Sequence, residues 1–288
     1  MSAAAGGRAQ LRYGCSSWTE KGWNGTFYPP GLPPRAQLAH YATQFDTVEA
    51  DVTYYRTPDR AMVRGWAERT PEGFVLSAKF PRNIVHGGEA AQPDGSKVLV
   101  WEHVESECEA FLNAMSLLGP KCGPLVLQFP YFNRSAFTSA GVFLERLDSF
   151  LGRLPREFRY AVEVRNKAWI DAPLLELLRR RGAAFVAVEL PYLPHPLELS
   201  RRFDLLTADF AYARLIGDRK KIDALSDVLD RTLIDQSESI GRWAELVHGL
   251  LARAQRVYVY ANNHFAGFAP ETIRALAQRV EALGAERS

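Results

Sequence analysis

Residues 47–58, TVEADVTYYRTP, carry two carboxylates two positions apart, Glu49 and Asp51. Alternate side chains of a strand share a face, so Glu49, Asp51 and Tyr55 stand together while Val48, Ala50, Val52 and Tyr54 line the other side. Buried carboxylates need partners. Other strand-like runs supply them: Lys79 shares a face with Ser77, Glu163 with Arg165 and Ala161, Glu189 with Ala187 and Phe185, and Arg214 falls in AYARLIG. If these faces point to one interior, the carboxylates Glu49, Asp51, Glu163 and Glu189 meet the cations Lys79, Arg165 and Arg214.

Several chemistries fit this set. Glu163 and Glu189 would end neighbouring strands about 4.8 Å apart, where two like charges cannot both ionise freely; such a pair suits general acid and base work, glycoside cleavage included. In that arrangement Glu163 is the principal acid or base. Glu49 and Asp51 position or polarise substrate, and Lys79, Arg165 and Arg214 hold its negative charge. Lys79 could instead form a Schiff base, although nearby carboxylates oppose the lowered pKa this needs. Arg56 adds a cation at the rim, Gln128, Asn166, Asn262 and Asn263 add neutral hydrogen bonds, and Trp18, Tyr55, Tyr260 and His264 add flat surfaces. Oxygen ligands would suit magnesium better than zinc, but the cations among them would repel it, so no metal is expected. No GxSxG elbow surrounds Ser16 or Ser17, which argues against a serine hydrolase. A self-neutralising structural network is the competing explanation of the whole set.

The elements that must position these groups recur along the chain. Strand-like runs fall at 13–18, 47–55, 74–81, 124–130, 160–166, 184–190, 211–217 and 256–263, with helical periodicity at 35–45, 59–69, 104–118, 140–152, 173–181, 238–254 and 270–283. Only the Pro-rich link between the sixth and seventh strands lacks a clear helix. This alternation predicts an α/β fold, a (β/α)8 TIM-barrel-like single domain over 11–288, irregular between strands 6 and 7, behind a disordered leader of residues 1–10. An open doubly wound sheet is the runner-up, but no GxGxxG or GxxxxGK[ST] loop follows any strand. In such a barrel chemistry gathers at the strand C-terminal ends, where the polar residues fall.

Composition narrows the setting. The 288 residues are 47% hydrophobic and 24% charged with a formal net charge of +2, so no strong overall field draws the chain to nucleic acid or anionic membrane. Three cysteines without a CxxC or a zinc-ligand spacing read as free thiols of a reducing, cytoplasmic compartment. No stretch approaches the length of apolar chain that a membrane span requires.

The segments YGCSSW, FYPPGLP, YATQFDTVEADVTYYRTP, WAERTPEGFVLSAKFP, PLVLQFP, YAVEVRNKAWID, TADFAYARLIG and VYVYANNHFAGFAP, in this order, resemble the YecE-like family, domain of unknown function 72. The resemblance runs from about Tyr13 to about Leu283 and implies a TIM-barrel-like fold; it implies no activity. Relatives often carry Asn where Asp51 stands and Thr where Cys15 stands, so Cys15 is given no catalytic role. The expectation is an enzyme without metal or cofactor that uses acid/base, hydrolase-like chemistry on a small anionic or sugar-like ligand. One alternative is a nucleic-acid-binding or nucleic-acid-processing barrel resembling endonuclease IV in shape, with rim arginines on phosphates and aromatics on bases. The other is a non-catalytic ligand-binding protein.

Overall fold

Each of the apolar runs forms a strand in the computed structural model, which describes residues 9–285. The strands are β1 (Gln10–Cys15), β2 (Thr47–Ala50), β3 (Val75–Lys79), β4 (Cys122–Gln128), β5 (Tyr160–Glu163), β6 (Ala184–Glu189), β7 (Phe210–Leu215) and β8 (Arg256–Ala261). They join in parallel as one eight-stranded sheet in the order β1-β8-β7-β6-β5-β4-β3-β2. Around it lie α1 (Pro34–Tyr41), α2 (Arg60–Glu68), α3 (Arg82–His86), α4 (Trp101–Met115), α5 (Ala140–Arg153), α6 (Ala172–Arg181), α7 (Pro196–Ser200), α8 (Arg219–Asp223), α9 (Ser237–Leu251) and α10 (Ala269–Ala285). This is the (β/α)8 barrel that the alternation predicts. The link between β6 and β7, expected to lack a helix, holds the single short helix α7. No helix among the described residues is long and apolar enough to cross a membrane.

Of the strand bounds that differ from expectation, two have reasons the structure supplies. β1 begins at Gln10, so Gln10 belongs to the sheet rather than to a leader; residues 1–8 of that expected leader lie outside the described residues. β2 stops at Ala50, where Asp51–Tyr54 turns into a 3-10 helix. The Thr53 hydroxyl makes this turn: it donates to the Ala50 carbonyl at 3.0 Å and accepts the Lys79 N–H at 2.9 Å, taking the place of the next ladder bond.

The β1–β2 edge meets through a side chain more than through a ladder. One isolated bridge pairs Ser16 with Glu49. Below it the Tyr41 hydroxyl lies between the strands, accepting the Cys15 N–H at 2.7 Å and donating to the Thr47 carbonyl at 3.0 Å. A Cβ at Gly14 would stand 2.1 Å from the Thr47 oxygen and 2.7 Å from that hydroxyl, so glycine is what permits the approach.

Register decides which side chains face the barrel axis. Glu49 stands opposite Ser77, Gln128 opposite Glu163, and Arg214 opposite both Val188 and Tyr260. Thr47, Glu49, Ser77, Lys79, Gln128, Glu163, Tyr212, Arg214, Tyr258 and Tyr260 therefore share the inner face, while the outer faces of the strands pack under the helices in the apolar core. On β6 the inward residues are Val186 and Val188. Glu189, expected inside with Ala187 and Phe185, faces outward instead.

Candidate functional site

The inner face ends in a buried ion network centred on Arg214, whose side chain is 2% exposed. Its Nε and Nη2 donate to Glu49 Oε1 at 3.2 and 2.8 Å, and its Nη1 donates to Gln128 Oε1 at 2.8 Å and to Glu163 Oε2. The Tyr212 hydroxyl completes Glu49 by donating to Oε2 at 2.7 Å. Arg165 Nε donates to Glu163 Oε1 at 2.7 Å, so each oxygen of that carboxylate is held by a different guanidinium. On the other flank Lys79 Nζ lies 3.6 Å from Glu49 Oε1 and is ion-paired with Asp51. Beneath this layer the Tyr260 hydroxyl meets Thr47 Oγ1 at 2.7 Å and Ser77 Oγ at 3.0 Å, closing the interior with neutral bonds.

The environment polarises these groups strongly. Burial alone pushes the Glu163 carboxyl up, but the Arg214 and Arg165 guanidiniums outweigh it and hold it at about 2. Asp51 is likewise raised by burial and brought below its ordinary value by Lys79 and Arg214. Burial acts to lower Arg214, and Glu49, Glu163 and Asp51 more than reverse it, raising the guanidinium further. Three carboxylates and three cations thus sit together, with Glu163 and Asp51 held below their ordinary values and Arg214 above its own. Two edges of the network reach solvent: Asp51 and Arg165, with side chains 30% and 23% exposed.

The expected site residues divide into those the fold assembles here and those it sends elsewhere. Glu49, Asp51, Lys79, Gln128, Glu163, Arg165 and Arg214 come together. Glu189 does not: its Oε2 accepts Ser239 Oγ at 2.8 Å and Trp243 Nε1 on the outer side, with His195 Nε2 at 3.5 Å, so the expected Glu163–Glu189 pair is absent. Glu163, ionised and bound to two arginines, is also no proton donor near neutral pH. Asn166 is tied to the backbone of Phe132 through both amide atoms, and Asn263 accepts Trp23 Nε1 and the Ala269 N–H away from the axis. Trp18 is buried edge-on against Trp66, and Tyr260 lies in the interior rather than on the rim. His264 stands between Asn262, 2.8 Å from Nδ1, and Asp223, 3.1 Å from Nε2. Tyr55 and Arg56 are exposed on the loop after β2.

Tyr212 and Tyr192 escaped sequence reasoning. Tyr212 is two residues before Arg214 and shares its face, a parity signal that was available. Tyr192 follows β6 and lies against Arg165, a contact only the tertiary fold creates. Among the described residues no three His, Cys, Asp or Glu side chains come together as a metal cage. All three cysteines are unpaired thiols.

The mouth differs from the rest of the surface. Among the described residues the exposed large apolar side chains are Val52 and Tyr55 after β2, Tyr131 and Val142 after β4, Tyr192 after β6, and Leu225 and Val228 after β7. All lie on segments that leave the C-terminal ends of the strands. Tyr54 lies near both Arg82 and Arg165 in the same region.

Fold and site together define a parallel (β/α)8 barrel with a charged polar centre where its strands end. The chain belongs to the family described as protein of unknown function DUF72, whose profile matches residues 12–287. It is 36% identical over 145 residues to the UPF0759 protein YecE of Escherichia coli strain K12, a match covering 50% of this chain and 47% of that protein. The chain thus spans about half the length of the curated relatives it matches. A DUF72 family protein of Thermotoga maritima MSB8 is 25% identical with a TM-score of 0.64, covering 96% of this chain and 99% of its own. One from Enterococcus faecalis V583 is 21% identical with a TM-score of 0.68, covering 94% and 96%. The likeness to the latter is one of fold.

Proposed function

We propose that the barrel mouth binds a small anionic or sugar-like substrate and acts on it by acid/base chemistry from its own side chains. The observation that carries this reading is the charged network at the strand ends, with Arg165 partly open to solvent while its Nε is locked on Glu163. A guanidinium fixed at one nitrogen presents the others in a preset fork, the geometry that recognises phosphate or carboxylate. Lys79 supplies a second positive charge, and Arg56, Arg82 and Lys167 bias the rim toward anions.

In this reading Glu163 and Glu49 hold the cations in place. Asp51, the partly exposed carboxylate beside Lys79, is the base that accepts the substrate's proton. Burying such a network is a poor route to stability, since packed apolar residues serve as well or better, which favours a ligand-directed purpose. Calorimetric titration of the full chain with inorganic phosphate at low salt should show one site per chain, weakened about tenfold or more in Arg165→Ala. Absence of phosphate binding by the native chain would overturn the reading.

A second reading rests on the exposed tyrosines. Tyr55, Tyr131 and Tyr192 share the mouth with basic side chains, a combination that also suits single-stranded nucleic acid. Short single-stranded DNA and RNA titrated across a salt series distinguish the two: a steep loss of affinity with salt supports this reading. No binding at low salt removes it.

A further inference from the structure

Among the described residues seven buried side-chain polar atoms find no hydrogen-bond partner: Arg12 Nε lies at the strand N-terminal end, His195 Nε2 lies outside β6, Asp51 Oδ1 is ion-paired with Lys79, and the other four share one sector of the mouth. Ser16 Oγ follows β1, Thr57 Oγ1 follows β2, and Arg82 Nε and His86 Nδ1 lie on α3 after β3. Native structures leave few such atoms, because a polar group removed from water and given nothing in return costs stability.

Ser16 is the sharpest case. The residue is 7% exposed, its bridge pairs it with Glu49, and it shares the inward parity of Gly14, which stands opposite Tyr260. Its hydroxyl therefore faces the axis beside the Glu49 carboxylate, where the ion network begins. The next residue, Ser17, is held at φ 92°, a left-handed conformation that a serine rarely adopts. The Ser17 N–H donates to the Glu49 carbonyl at 2.8 Å, which pins the strained backbone to β2. Strain and an unpartnered hydroxyl at adjacent positions, both against a network of ions, are the pattern of a ligand contact rather than of packing.

We infer that Ser16 is a specificity-determining residue whose hydroxyl bonds a hydroxyl-bearing part of the substrate, so that the ligand is a polyol carrying an anionic group and not a bare anion. This rests on the anion site proposed above and adds the second half of the ligand to it. The cations hold the charged end; Ser16 meets the neutral oxygens.

Two measurements on the full chain test it. Calorimetry compares inorganic phosphate with glycerol 3-phosphate on the native protein and on Ser16→Ala. The native chain should bind glycerol 3-phosphate about tenfold more tightly than phosphate, and Ser16→Ala should lose that gain while keeping its affinity for phosphate. Phosphate binding without the gain, or a gain that survives in Ser16→Ala, overturns the role of Ser16 and leaves the anion site standing; binding of neither overturns both. Thermal unfolding without ligand is the second arm. Removing a hydroxyl that makes no bond should leave Tm unchanged or raise it by about 2–4 °C, whereas a fall of that size would make the hydroxyl structural and sink the inference.

Discussion

The two ends of the barrel both use arginines, and they use them oppositely. At the N-terminal end Arg12 Nη1 donates to the Asp46 carboxylate at 3.0 Å and to the Gly73 carbonyl at 2.8 Å, tying the entries of β1, β2 and β3 together. Arg253 meets Asp204 through two bonds at 3.0 and 2.7 Å in the open. Both clasp neighbouring segments, Arg253 in the open and Arg12 with its side chain only 12% exposed. At the C-terminal end Arg214 is buried among carboxylates from other strands, surrounded by exposed tyrosines and unpartnered polar atoms. One end clasps neighbouring segments of the chain; the other buries its charge at the strand C-terminal ends.

Three changes put that contrast to the test. Arg214→Ala leaves Glu49 and Glu163 buried with their main partner gone, and should cost about 3–5 kcal/mol in urea unfolding. Lowering pH acts on the same network. Glu163 is held at about 2 against an ordinary value of 4.5, so the stability it contributes is complete above pH 4.5 and drains away as pH falls toward 2. Glu163→Gln should flatten that part of the stability profile. At the opposite end Arg253→Ala removes an exposed pair and should change stability by less than about 1 kcal/mol. An Arg253→Ala loss as large as that of Arg214→Ala would erase the distinction between the two ends.

Much of this was legible in the sequence, and the failures are instructive. All the strands could be read because parallel barrel strands are short apolar runs bounded by turns. The inward faces of β2, β3 and β5 could be read because charge marks them. On β6 the same rule misplaced Glu189: helices cover the outside of the barrel, so a carboxylate can find Trp243 and Ser239 there as readily as an arginine within. The end of β2 was misjudged because Val52 and Tyr54 keep the alternation going, while the Thr53 hydroxyl stops the strand through a bond to β3 that no local pattern reveals. Glu163 was read as an acid or base paired with Glu189, but Glu189 faces outward and guanidiniums surround Glu163 instead. Its two guanidinium partners come from the segment just after β5 and from β7, and only their joint approach holds it low.

The pairing of β1 has a consequence for how the barrel comes into being. All six residues of β1 run in register with β8, the final strand in the sequence, whereas β2, its neighbour along the chain, meets it through a single bridge and a tyrosine hydroxyl. The first strand thus takes its place from the last. Assembly around the barrel can proceed from β2 to β8 by successive neighbours, but the step that carries Ser16 to the mouth spans nearly the whole sequence and has the highest loop-closure cost. Closure of the barrel and delivery of Ser16 to the Glu49 edge are the same event.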